Sequence, residues 1–271
     1  MEKIKKACEY IKSKLTKDLE IGMILGSGLG VLADEIQNPL YIDYKDIPNF
    51  PVSTVEGHAG RFVIGDLNGK QVMIMQGRFH YYEGYTMKEV TMPVRVMKLL
   101  GIETIIVTNA CGGMNKDMLY PGALMLIKDH INFTGDNPLM GPNMSEFGVR
   151  FPDMSEAYKK DLRALAKDVA KDLDIDVKEG IYASVTGPYY FSNSELVMLK
   201  RLGADVIGMS TVPEVIVANH ASMNVLGISC ITDMAVGEEK DFETTHEEVM
   251  AMAEKSRPKF IRLVKEIVKR I

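Results

Sequence analysis

Cysteine is scarce in this 271-residue chain. Cys8, Cys111 and Cys230 are odd in number, far apart and form no C-x-x-C pair. That tells against a disulfide scaffold and fits reduced thiols in the cytoplasm. Histidine is nearly as scarce, and its five copies show neither H-x-x-x-H spacing nor a Cys–His pairing, so no structural zinc site is expected. No run of about 18 apolar residues occurs, so no membrane span is expected. The opening MEKIKKACEYIKSKL is charged throughout, with Ile4, Cys8, Ile11 and Leu15 at helical spacing. It lacks the apolar core of a signal peptide and reads as a surface helix. Positive charge is also not in excess. Lys and Arg number 32 against 37 Asp and Glu, a net charge of −5. A general nucleic-acid binder needs a basic face to displace counterions, and this balance argues against one. A small anionic ligand in a locally positive pocket stays open.

Internal repeats, low-complexity tracts and linkers are missing too, which leaves one domain over residues 1–271. What is present is alternation. Strand-length apolar runs fall at 21–25, 61–67, 71–76, 104–108, 123–128, 180–185, 206–209 and 225–231. Amphipathic helical segments fall at 1–15, 87–100, 155–172, 192–202, 212–221 and 245–270, with a short one opening at 28–30. Such alternation predicts an α/β fold with crossover units and a largely parallel sheet. Asn68-Gly69 predicts one hairpin, hence a mixed sheet. Two Gly-, Pro- and Asn-rich stretches, 48–60 and 133–152, read as long ordered loops that bind something.

The candidate chemistry sits where strands end. Gly26-Ser27-Gly28-Leu29-Gly30 follows the first strand. Successive inward N–H groups there form an anion nest. Gly28 to Ala33 also matches the dinucleotide pattern, but no acid follows at the required distance after a second strand. A purely structural turn is the third reading. GRFHYYEGYT, Gly77 to Thr86, brings Arg78 for bidentate grip of a phosphate, His80 on the same side, and Glu83 to orient that histidine and keep it charged. An exposed polar loop is the alternative. VTNACGGMN, Val107 to Asn115, places Asn and glycines after another strand, where Cys111, Gly112 and Gly113 read equally as a turn. Ser210 or Thr211 precedes a helix with Pro213 in its first turn, so either also serves as an N-cap. Polar groups at several strand ends mark where α/β folds place ligands.

Five blocks, GSGLG, GRFHYYEGY, TNACGGMN, DHINFTGDNPLMGPN and GADVIGMSTVPEVIVANH, resemble in order and spacing the trimeric class of purine nucleoside phosphorylases. The resemblance runs from about Ile21 to His246. It implies one α/β domain around a central mixed, partly barrel-like sheet flanked by helices, assembled as a homotrimer in the cytoplasm. It implies phosphorolysis of purine nucleosides with inorganic phosphate as co-substrate, no cofactor, no metal, no nucleic acid and no membrane. The implied phosphate site is Ser27, His58, Arg78, His80, the Ala110 backbone and Ser210. Nucleoside contacts fall on Tyr82, Asn109, Tyr190, Phe191, Met209, Asp233 and His246, with Phe147 closing a neighbouring subunit's sugar pocket. The implied catalytic set is His80, Glu83, Asp233 and His246.

Two positions depart from the family pattern. Phe191 stands where the family has a purine-binding glutamate, and Asp233 where it has an asparagine. A carboxylate accepts from a 6-amino group, a protonated one donates to purine N7, and an ionised one repels a 6-oxo group, so adenosine-type substrates are expected to be more acceptable than in the family norm. The same two departures resemble methylthioadenosine phosphorylase, the alternative reading, whereas His246 and GRFHYYEGY favour a nucleoside. A non-enzymatic nucleoside sensor and an NAD-dependent dehydrogenase remain as rivals from other classes.

Overall fold

All eight apolar runs form strands in a computed structural model of the chain, which describes residues 1–55, 58–235 and 245–271. The strands are β1 (Ile21–Ile24), β2 (Gln37–Asp43), β3 (Arg61–Leu67), β4 (Lys70–Gln76), β5 (Thr104–Gly113), β6 (Leu124–Asn132), β7 (Val177–Ser184), β8 (Val206–Gly208) and β9 (Asn224–Met234). The helices are α1 (Glu2–Lys12), α2 (Met87–Val90), α3 (Met92–Leu99), α4 (Lys160–Asp172), α5 (Asn193–Arg201), α6 (Val212–His220) and α7 (His246–Arg270).

The ninth strand, β2, carries no alternating apolar pattern and includes Pro39. It lies at the end of the sheet, where one side of its backbone needs no partner, so proline is tolerated. The expected helix at 87–100 is broken at Thr91. Pro93 has no N–H to give the preceding turn, and the Thr91 hydroxyl takes the Met87 carbonyl at 2.7 Å. At 28–30 the chain forms a 3₁₀ helix, Gly30–Glu35, and not an α-helix. The dinucleotide reading loses the helix N-terminus it requires.

Sheet order is β2-β3-β4-β1-β5-β8-β7-β6-β9, and β9 returns to pair with β5. Strands β5, β8, β7, β6 and β9 therefore close into a ring, with β1, β4, β3 and β2 extending from it. Antiparallel pairing is commoner than one hairpin suggested. Besides β3–β4, the pairs β2–β3, β5–β8 and β6–β9 are antiparallel. Two of these pairs, β5–β8 and β6–β9, lie within the ring, and β2–β3 and β3–β4 lie in its extension. Helices α1, α3 and α6 bury one sheet face, with Ile11, Met97 and Val215 fully covered. Helices α4 and α7 bury the other through Val169, Phe260 and Val264.

The topology creates the site. Strands β1, β4, β5 and β9 are mutually parallel neighbours, so their carboxyl ends open on one edge. Strand β8 runs back along β5, Ile207 opposite Gly112, which carries the following residues towards Asn109.

Candidate active site

Gly26 sits at the end of β1 for steric reasons. A Cβ there would lie 2.6 Å from the Asn109 Cα. The close approach lets the Gly26 N–H donate to the Thr108 hydroxyl at 3.2 Å, and that hydroxyl donates to the Ile24 carbonyl at 3.1 Å. Gly28, at φ +74°, is pressed against Ala253 of α7. Ser27 is thus held between β5 and α7, its Oγ 3.4 Å from His58 Nε2.

Beyond β4 the chain turns at Gly77 (φ +106°) and buries Arg78. Its Nε and Nη2 donate to Glu214 Oε1 at 3.0 and 2.6 Å, and Nη1 donates to the Thr108 carbonyl at 2.7 Å. His80 Nδ1 lies 3.1 Å from Glu83 Oε1, while Glu83 Oε2 accepts from the Thr54 N–H and hydroxyl. Rings of Tyr82 and His58 flank that of His80, with centroids 4.7 and 5.5 Å away. Burial pushes the His80 pKa down against the pull of Glu83. The expectation that Glu83 keeps His80 charged is therefore corrected: desolvation outweighs one carboxylate. Burial likewise lowers His58, to about 4, with His80 beside it adding to the effect. Burial raises Glu83, but hydrogen bonds from His80 and Thr54 win and hold it at about 2. Tyr82 is pushed up by burial to about 12 and stays a neutral donor.

From Val107 to Gly113 the VTNACGGMN block is strand, not a turn. Strand β5 continues through Gly113, paired with β9 and β8. Its glycines answer to packing, since a Cβ at Gly112 would lie 2.9 Å from that of Ala235. Opposite, Thr211 adopts φ 72°, ψ −55°, and the Val212 N–H reaches back to the Ser210 carbonyl at 2.8 Å. This is a strained γ-turn at a β-branched residue. Asn109 supports it by donating to the Thr211 hydroxyl at 2.9 Å.

These pieces line one cavity of ≈ 150 Å³, room for on the order of ten water-sized groups. Ser27, Arg78, His80, Asn109, Ala110 and Ser210 line it together with Tyr82 and Met209. So do Val185, Tyr190, Phe191, Leu196, Ile207, Thr232, Asp233 and Ala235. Phe191 also stacks on Tyr189, centroids 5.5 Å apart. His246 and Val249 come from the first turn of α7, which Thr245 and Glu248 cap reciprocally.

A family model described as the phosphorylase superfamily matches residues 20–269. Purine nucleoside phosphorylase 1 of Bacillus subtilis is 58% identical over 98% of each chain, and the purine nucleoside phosphorylase of Rattus norvegicus is 45% identical over 100% of this chain and 95% of its own. The chain belongs to the purine nucleoside phosphorylase family. The purine nucleoside phosphorylase of Schistosoma mansoni, solved in complex with adenosine, superposes with a TM-score of 0.95 at 42% identity, covering 100% of this chain and 98% of that one.

Twelve of the fifteen residues singled out from sequence line this phosphorylase's cavity, and three do not. Glu83 and His58 stand behind His80 and Ser27. Phe147 is buried in its own chain beneath the guanidinium of Arg95, 4.8 Å from the ring centroid, outside the cavity. Sequence reasoning missed Glu214, Thr108 and the apolar wall of Val185, Leu196, Ile207 and Val249. A first-turn glutamate and a strand threonine carry no signal of their own.

Proposed function

We propose that this phosphorylase catalyses the reversible phosphorolysis of purine (2′-deoxy)ribonucleosides, giving free base and (2-deoxy)ribose 1-phosphate. One observation carries the reading: Ser27, Arg78, His80 and Ser210 share one cavity with the apolar Val185, Leu196, Ile207 and Val249 and with Asp233 and His246. In this reading phosphate rests on Arg78, His80 and the hydroxyls of Ser27 and Ser210, with the Ala110 backbone and His58 in support. Tyr82, Asn109 and Met209 flank the sugar and His246 takes its 5′-hydroxyl. Tyr190, Phe191 and Asp233 face the base. The whole of 1–271 acts as one unit.

A phosphate oxygen attacks C1′ as the C1′–N9 bond breaks, and the bonding pair leaves with the purine. Phosphate is already an anionic nucleophile, so no second carboxylate is needed to activate water. Holding phosphate against C1′ removes roughly 7 kcal/mol or more of barrier. One well-placed group on the leaving base adds about 3 kcal/mol. Inorganic phosphate is the only co-substrate, with no cofactor. Among the described residues no cluster of three metal-ligating side chains occurs, and no helix is long and apolar enough to cross a membrane. We place the enzyme in the cytoplasm, in purine salvage, as a homotrimer. The exposed Met140, Val149 and Phe151 of the long loop support a subunit interface. Phe147, already covered within its own chain, would meet a neighbour only after the loop rearranges.

Asp233 and Phe191 weaken the preference for inosine and guanosine and make adenosine-type substrates more acceptable than in the family norm, and methylthioadenosine is the alternative substrate on the same two residues. A panel of inosine, guanosine, adenosine and methylthioadenosine, with and without phosphate, tests both levels. Base release only with phosphate is expected. Release without phosphate would overturn the reaction, and an inosine-over-adenosine kcat/KM ratio above about a hundredfold, some 2.7 kcal/mol, would overturn the preference.

A further inference from the structure

We propose that Glu214 is the positioning residue for the phosphate-binding arginine: it locks the Arg78 guanidinium so that two of its N–H groups face the anion. The inference rests on the reading of Arg78 as a phosphate ligand.

Arg78 is 1% exposed and Glu214 3%. Of the five N–H donors of a guanidinium, Nε and one on Nη2 go to Glu214 Oε1 and one on Nη1 goes to the Thr108 carbonyl. One N–H on each terminal nitrogen remains, on a side chain that lines the cavity. Rotation about the side-chain torsions is blocked from two directions, by an acceptor on α6 and a backbone carbonyl on β5.

Glu214 itself points to this role. Among the described residues its Oε2 is buried without a hydrogen-bond partner, and its Oε1 takes two donors from Arg78. A buried ion pair with a half-satisfied carboxylate is a poor device for stability, because desolvation offsets the attraction. It is a good device for holding a cation in one orientation. Glu214 also sits in the first turn of α6, directly after the Ser210–Thr211 turn. The contact thereby fixes the distance between Arg78 and Ser210, which arrive from β4 and β8 and share no strand pairing.

Four variants and two Michaelis constants test this. Glu214→Met keeps the volume and removes the acceptor; the KM for phosphate is expected to rise about tenfold or more, with the nucleoside KM within about threefold of the parent. Glu214→Gln keeps an acceptor without the charge and is expected to stay within about threefold for both. A merely structural role would lower Tm in Glu214→Met without separating the two constants. A folded Glu214→Met with parental phosphate KM, or equal rises in both constants, overturns the proposal. If Glu214→Met does not fold, Glu214→Asp, one methylene too short to span both donors, takes its place with the same expectation. Arg78→Met separates the layers. If it leaves phosphate KM unchanged, the phosphate site is wrong; if it raises phosphate KM and Glu214→Met does not, only the positioning role falls.

Discussion

Replacing Gly26 with alanine tests whether the first glycine turn exists for close approach. Gly26 has no positive φ, so an alanine faces no backbone strain; the obstacle is contact alone. Its Cβ would stand 2.6 Å from the Asn109 Cα and 3.1 Å from the Thr108 carbonyl oxygen. Carbon atoms rest at about 3.5–4.0 Å, so the gap must open by about 1 Å. Asn109 cannot yield, because β5 is paired to β9 at that residue and to β1 just before it. The loop yields instead, taking Ser27 away from the anion site and stretching the 3.2 Å bond from the Gly26 N–H to Thr108 beyond hydrogen-bond range. Overpacking of this kind destabilises by about 1–3 kcal/mol, a fall in Tm of roughly 2–4 °C for each. A 1 Å displacement of a positioning group lowers kcat/KM by up to about a hundredfold. The expected outcome is a folded enzyme with kcat/KM for phosphate down by about ten- to a hundredfold and nucleoside KM little changed. The assay is initial rate against phosphate at saturating nucleoside. A Gly26→Ala enzyme within about twofold of the parent would refute the steric reasoning and leave the loop without a role in the anion site.

Two further outcomes are expected. Asp233→Asn removes the charge that repels a 6-oxo group; the inosine-to-adenosine kcat/KM ratio should rise about tenfold or more, the equivalent of one hydrogen bond to a charged group, and an unchanged ratio would clear Asp233 of base selection. His58 is held neutral in the folded chain down to about pH 4, whereas the unfolded chain takes up that proton near 6.5. The unfolded state binds more protons between these values, so stability present above pH 6.5 is lost as pH falls towards 4, by about 3 kcal/mol from this group. Tm measured against pH should fall less steeply for His58→Asn than for the parent, and parallel curves would contradict the assignment.

The strands of the core and most of the cavity lining were legible in one dimension because the signals are local. Apolar runs mark β1, β3 and β4, and the stretch from Gly77 to Glu83 packs arginine, histidine, tyrosine and glutamate into one turn that folds on itself through the His80–Glu83 contact. Asp233 and Phe191 announced themselves as departures from a pattern otherwise kept. Tertiary structure alone decided what lies between such stretches. Glu214 meets Arg78 across 136 positions, and no residue near either hints at the other. Strand β2 exists because β3 offers it an edge, not because its own residues ask for one. The neutral state of His80 follows from how much chain is piled over it, which no neighbour in sequence reports. Local chemistry is written in adjacent residues, whereas burial, charge pairing and ring closure are properties of distant segments brought together, and only the folded chain holds them.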